Sequence, residues 1–189
     1  LTLGIGQRLK NPDDYFTLYN GLNFVQYKLN NSQSFFSFRN GESNNVNYNI
    51  NIGRNSVDQL NFPRQGSNFL FSLKLSPPYS MFDDVDDYSK LTDQEKYEWV
   101  EYYKWKFKAT WFSPFTDKLV LATRTEFGFL GAYNEELGIS PFERFYVGGD
   151  GLSGMGYMND GRELVSLRGY SNNSISPQTG ATIYNKYTA

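Results

Sequence analysis

No cysteine and no histidine occur in the 189 residues. The first absence excludes a disulfide framework and thiol chemistry. The second removes Ser-His-Asp catalysis, the usual general base and most transition-metal sites. Long hydrophobic runs are missing too: mean hydropathy is −0.57, whereas a membrane helix needs about 20 consecutive apolar residues. Nor is charge of one sign in excess. The formal net charge is −2, so there is no polycationic surface to neutralise phosphates and nucleic acid is not an expected partner. No motif asks for a cofactor or a metal, and the chain does not read as an enzyme. What it has in quantity is aromatic: 15 Tyr and 16 Phe.

These aromatics fall into period-two stripes, the signature of strands with one apolar face. In Gly66 to Leu75, Phe69, Phe71, Leu73 and Leu75 share a face, opposite Asn68, Leu70, Ser72 and Lys74. In Trp99 to Trp111, Trp99, Tyr103, Trp105, Phe107 and Trp111 oppose Lys104, Lys106 and Lys108. In Lys118 to Leu130, Leu119, Leu121, Phe127 and Phe129 oppose Arg124 and Glu126. Val46, Tyr48, Ile50 and Ile52 oppose a run of asparagines, and Phe16, Leu18, Leu22 and Phe24 form a stripe broken by Asn20.

Either a soluble sandwich or a membrane barrel could be built from such strands. Three features favour the barrel. The strands exceed the ~5–6 residues usual in soluble sheets. Aromatics crowd strand ends, as girdles at the membrane interface do. Short turns, such as Ser113 to Asp117, alternate with long loops over 76–98 and 133–180. The expected fold is therefore all-β, a transmembrane antiparallel β-barrel, of which about seven strands are visible. Leu1 without an initiating Met and a strand-like YNKYTA running to Ala189 are expected of an internal piece of a longer chain.

The stretch Phe142 to Tyr170 needs a reason to exist, because loops beyond about 12–15 residues without secondary structure are usually functional or disordered. It begins with Phe145, Gly148 and Gly149 and ends in Arg168, Gly169 and Tyr170. Gly169 permits a sharp turn, and Arg168 carries a rigid fork of donors suited to a carboxylate. The expectation is that this tip folds back into the barrel lumen. There Arg168 would dock on an acidic or carbonyl partner and Tyr170 would pack on the wall. Arg124 and Glu126 are possible lumen partners.

Four motifs in order carry a resemblance: SVDQLNFPRQGS (Ser56 to Ser67), DKLVLATRTEFGFLGAY (Asp117 to Tyr133), PFERFYVGGDG (Pro141 to Gly151) and LRGYSNNSISP (Leu167 to Pro177). Together they resemble the C-terminal barrel of the BamA family of outer-membrane assembly factors, within a superfamily of POTRA-plus-barrel proteins. NPDDYFTL (Asn11 to Leu18) resembles the assembly branch rather than the secretion branch. The resemblance implies one 16-stranded barrel domain in the outer membrane of a Gram-negative bacterium, with residues 1–189 forming part of it. It implies a non-enzymatic insertase. The implied partners are unfolded outer-membrane protein clients, accessory outer-membrane lipoproteins, and the bilayer with its lipopolysaccharide. It makes 76–98 and 133–180 extracellular loops, the second entering the lumen, and places the partner of Arg168 on a strand after Ala189. The alternatives are a two-partner-secretion pore and the barrel anchor of a patatin-like lipase. Two departures stand out: residues 150–167 resemble an insertion, and Tyr170 stands where Phe is usual.

Other signals read more plainly. Gly149, Gly151 and Gly154 match the dinucleotide fingerprint in spacing but lack its helix and its later acidic residue. The run Asp83, Asp84, Asp86, Asp87 lacks calcium-loop spacing and reads as a solvated loop. Thr92 and Glu95 fit a capping box for a short helix over Thr92 to Tyr103. Lys104, Lys106 and Lys108 are expected to line the lumen and balance acidic groups on strands outside this chain.

Overall fold

The computed structural model describes residues 1–31, 38–83, 85, 87–150 and 161–188. Asp84, Asp86, Gly151 and Gly154, and 151–160 of the insertion-like stretch, lie outside the described residues. Among the described residues nine strands form: β1 (Thr2–Arg8), β2 (Phe16–Leu29), β3 (Gly41–Asn55), β4 (Gly66–Leu75), β5 (Tyr103–Thr116), β6 (Leu119–Gly131), β7 (Phe145–Val147), β8 (Glu163–Val165) and β9 (Ile183–Thr188). Seven of them make one antiparallel sheet in the order β1-β2-β3-β4-β5-β6-β9, while β7 and β8 form a small parallel pair.

The stripes seen in sequence become faces because the cross-strand register keeps parity. Phe71 sits opposite Phe107, Phe107 opposite Phe127, and Lys74 opposite Lys104. With side chains alternating between faces, one surface of the sheet is aromatic and the other carries the lysines and asparagines. Rings contact along the apolar face, with Phe16 against Phe69 at 5.6 Å and Trp105 stacked on Phe127 at 5.0 Å. Asn20, the polar interruption on this face, is satisfied by the Tyr48 hydroxyl, which donates to its Oδ1 at 3.0 Å. A polar group on an apolar face needs such a partner.

Two boundaries differ from the sequence reading. The turn expected over Ser113 to Asp117 is mostly strand: β5 runs to Thr116, leaving only two residues before β6. A bulge between Pro114 and Thr116 lets the strand absorb a proline that cannot donate to the ladder. At its other end β5 starts at Tyr103 rather than Trp99. Residues 98–102 instead run beside β3, with Asn44 N donating to Glu98 O at 2.7 Å and Val100 N to Asn44 O at 2.9 Å. They fill the space left because β4 has 10 residues and β3 has 15. The short helix α1 (Asp93–Lys96) does form, with both halves of the Thr92–Glu95 capping box in place. Asp87 caps the turn that follows it and pairs with Lys90 at 2.9 Å.

At the end of the sheet with short turns, the 56–65 connection is organised by one carboxylate. Asp58 Oδ1 accepts from the backbone N–H of Gln59 at 2.9 Å, Arg64 at 3.1 Å and Gln65 at 3.4 Å. Arg64 in turn donates to the carbonyl of Asp117, joining two neighbouring turns. Asp58→Ala is expected to lower the denaturant midpoint of unfolding, because three backbone N–H groups lose their acceptor. Denaturant titration measures it, and an unchanged midpoint would contradict this role.

Candidate functional site: the long loop on the polar face

The connection from β6 to β9 turns back onto the polar face of the sheet. Its first residues bury apolar surface. Phe142 and Phe145 are fully buried, in a cluster with Tyr27, Val100, Tyr102, Leu130, Val165 and Tyr184. Phe142 stacks on Tyr27 at 4.5 Å, and Phe145 meets Tyr184 edge-on at 4.7 Å. The loop's own backbone is then tied into a small unit. Arg144 donates to the carbonyls of Ser140, Thr179 and Ile139, and β7 pairs with β8 on one side and with Ala181 on the other.

Charge fixes the loop to the wall. Lys104 Nζ, on a side chain 1% exposed, lies 2.9 Å from Glu143 Oε2 and 2.6 Å from Glu163 Oε2. It also donates to the Glu143 carbonyl at 2.7 Å and sits 4.7 Å from the centre of the Phe145 ring. Lys74 reaches Glu143 at 3.1 Å, and Lys106 reaches Glu163 at 2.6 Å. Burial alone would raise the Glu143 carboxyl, but Lys104 and Lys74 outweigh it and hold the group at about 2. Glu163 is pushed the same way: burial opposes the shift, and Lys104 and Lys106 overcome it. Lower down, Lys186 donates to the Ser166 carbonyl at 2.6 Å.

These contacts descend the sheet in order. Lys74 is level with Lys104, Lys106 with Gly128 and Tyr184, and Lys108 with Glu126 and Lys186. Residues 143, 163 and 166 are thus gripped at successively deeper positions, and the Arg-Gly-Tyr motif follows directly. Lys104 and Lys106 are balanced by the loop of this same chain, not by strands outside it, and Lys108 by Glu126 at 3.6 Å. Sequence reasoning missed Glu143 and Glu163 as partners. The available signal was an acid in each of FERFY and RELV, on a loop that follows a lysine-rich strand.

The structure brings the two loop motifs together. Gly149 N donates to Tyr170 O at 3.0 Å, and Leu167 N donates to Gly149 O at 2.9 Å. Gly148 and Gly149 have φ of +127° and +88°, and a Cβ on either would overlap the turn after the tip, at Ser171 O or at Asn172 Oδ1. Gly169 differs: its φ is +89°, but an added Cβ would meet nothing within 4 Å, so backbone conformation alone demands glycine there. Arg168 is exposed and forms no ion pair among the described residues. Tyr170 is 56% exposed. Arg124 is exposed on the same face, and Glu126 faces Lys108.

An antiparallel sheet with one aromatic face, a basic polar face and a long loop pinned across it is the geometry against which the whole chain can be compared. The family model described as the Omp85 superfamily domain matches residues 1–189. The chain belongs to the Omp85 superfamily. No curated protein matches the sequence. Omp85 proteins are outer-membrane β-barrels that insert or translocate outer-membrane proteins, generally without enzymatic activity, and they interact with unfolded outer-membrane protein substrates. The all-β sheet is that of an Omp85 barrel fragment.

Proposed function

We propose that this Omp85 chain is part of the barrel of a BamA-type assembly factor, a non-enzymatic insertase for outer-membrane β-barrels. In this reading the aromatic face meets lipid, the lysine face lines the lumen, and the pinned loop occupies that lumen from the extracellular side. The observation that carries it is the tip. Arg168, Gly169 and Tyr170 follow a descending series of loop–wall contacts and present an unpaired guanidinium fork, which suits a carboxylate on another strand of the barrel. The resemblance of NPDDYFTL supports the assembly branch. No bond is made or broken. Unpaired N–H and C=O groups are very unfavourable in lipid, so a barrel seam that opens gives a client strand an edge to pair with. The tip holds the barrel in the shape that allows this. Accessory lipoproteins and lipopolysaccharide are the partners expected around it.

The test is a folding assay with the full-length protein in liposomes. An unfolded outer-membrane barrel is added, and its folded fraction is followed by heat-modifiable gel mobility. Folding is expected to be faster than in empty liposomes, and Arg168→Ala to slow it by about tenfold or more, the scale of one lost charged hydrogen bond. No acceleration, together with ion conductance through the same membranes, would indicate a secretion-type pore.

A further inference from the structure

Lys74, Lys104 and Lys106 are neighbours on one face of β4 and β5, with Lys74 directly opposite Lys104. Like charges opposite one another destabilise a sheet. Among the described residues the only acid facing them from the sheet's central strands is Glu126, and it lies at Lys108. The wall therefore needs two carboxylates at this height, and the loop brings two. The β7–β8 pair, with Phe145 opposite Glu163, keeps Glu143 and Glu163 at a fixed separation.

Apolar burial alone is non-directional. The two hydrogen bonds between Phe145 and Ala181, at 2.8 and 2.7 Å, hold one side of the loop, and the ion pairs discriminate height against the lysine strands. A slide of two residues along the strands, about 6.6 Å, would move Glu163 from Lys106 to Lys108, already matched by Glu126, and would leave Lys74 without a partner. Only one register satisfies all three ammonium groups. We infer that Lys104 is the positioning residue of the loop: by bridging Glu143 and Glu163 it sets how deep the loop sits on the wall, and hence where Arg168 is presented. This rests on the reading that the loop tip serves the barrel's function. The hold itself is separate from whatever partner Arg168 takes.

These 189 residues hold no cysteine, which makes a direct test practical. Val165, which is 4% exposed in the loop core, is changed by Val165→Cys in the full-length protein in liposomes, any cysteine outside these residues being replaced by serine, and its labelling by a maleimide is timed. Lys104→Met is expected to speed labelling by about tenfold or more, as when a buried pair loses one partner, and Lys104→Arg to restore most of the protection. Glu143→Gln with Glu163→Gln should match Lys104→Met, and all three changes together should add little. Unchanged labelling in either variant, or additive effects, would overturn the inference. If Lys104→Met fails to give a heat-modifiable barrel, the double loop variant, which leaves the wall untouched, decides alone. The readout needs no client protein, so it stands or falls apart from the insertase assay.

Discussion

Phe142→Ala is expected to detach the start of the long loop from the sheet and to cost about 3–5 kcal/mol, the range for deleting a buried aromatic side chain. The residue is fully buried, stacks on Tyr27 at 4.5 Å, and lies next to Glu143. Its loss leaves a cavity between β2 and the loop. It also removes the ring against which Gly161 packs, where a Cβ would meet Phe142 and Tyr27 at 3.0 and 3.1 Å. The effect should be local. Proteolysis of the full-length protein in detergent should cut within 142–165 at much lower protease concentration, while the wall keeps its heat-modifiable mobility. A change of less than about 1 kcal/mol in loop protection, measured by hydrogen exchange, would show that the stack does not hold the loop.

Acid is the second strong perturbation. Glu143 is held at about 2 in the docked loop, against an ordinary value of 4.5, and Glu163 is also lowered. The docked form therefore binds fewer protons than the released form. Its extra stability is fully present above about pH 4.5 and is lost as pH falls from there through about 2. For Glu143 alone the displacement corresponds to roughly 3 kcal/mol at about 1.4 kcal/mol per unit. The groups facing these two acids are Lys74 from β4 and Lys104 and Lys106 from β5, with Tyr102 beside Glu143, Tyr184 from β9 beside Glu163, and Glu126 near Tyr184. The two carboxylates carry the transition. Hydrogen exchange of the 142–147 segment, corrected for intrinsic rate, should lose protection across that interval, and Glu143→Gln should flatten the profile. Protection that stays level down to about pH 2 in the unmodified protein would contradict the assignment.

Much of the architecture was legible because it depends on short-range periodicity. The stripe from Gly66 to Leu75 is a strand with those bounds, and the parity of Lys104, Lys106 and Lys108 against Trp105 and Phe107 is the parity of the sheet. Thr92 and Glu95 are three residues apart, and their capping box was readable for that reason. Strand ends were less legible. The bulge at Pro114 and the docking of residues 98–102 beside β3 depend on what neighbouring strands leave open, which no local pattern encodes. The loop motifs were recognisable as motifs, and Gly148, Gly149 and Gly169 all take positive φ.

The sequence by itself determined that this chain is a sheet with an aromatic face and a basic face, since side-chain alternation is a property of each strand alone. It also determined that a glycine-bounded loop ends in Arg168, Gly169 and Tyr170. Only the tertiary structure decided where that loop goes and what holds it. Lys106 and Glu163 are 57 residues apart in the chain, and Lys74 and Glu143 are 69. Nothing in either segment specifies the other. They meet because antiparallel pairing brings β4, β5, β6 and β9 side by side, and because buried charges on a low-dielectric wall must find opposite charges within reach.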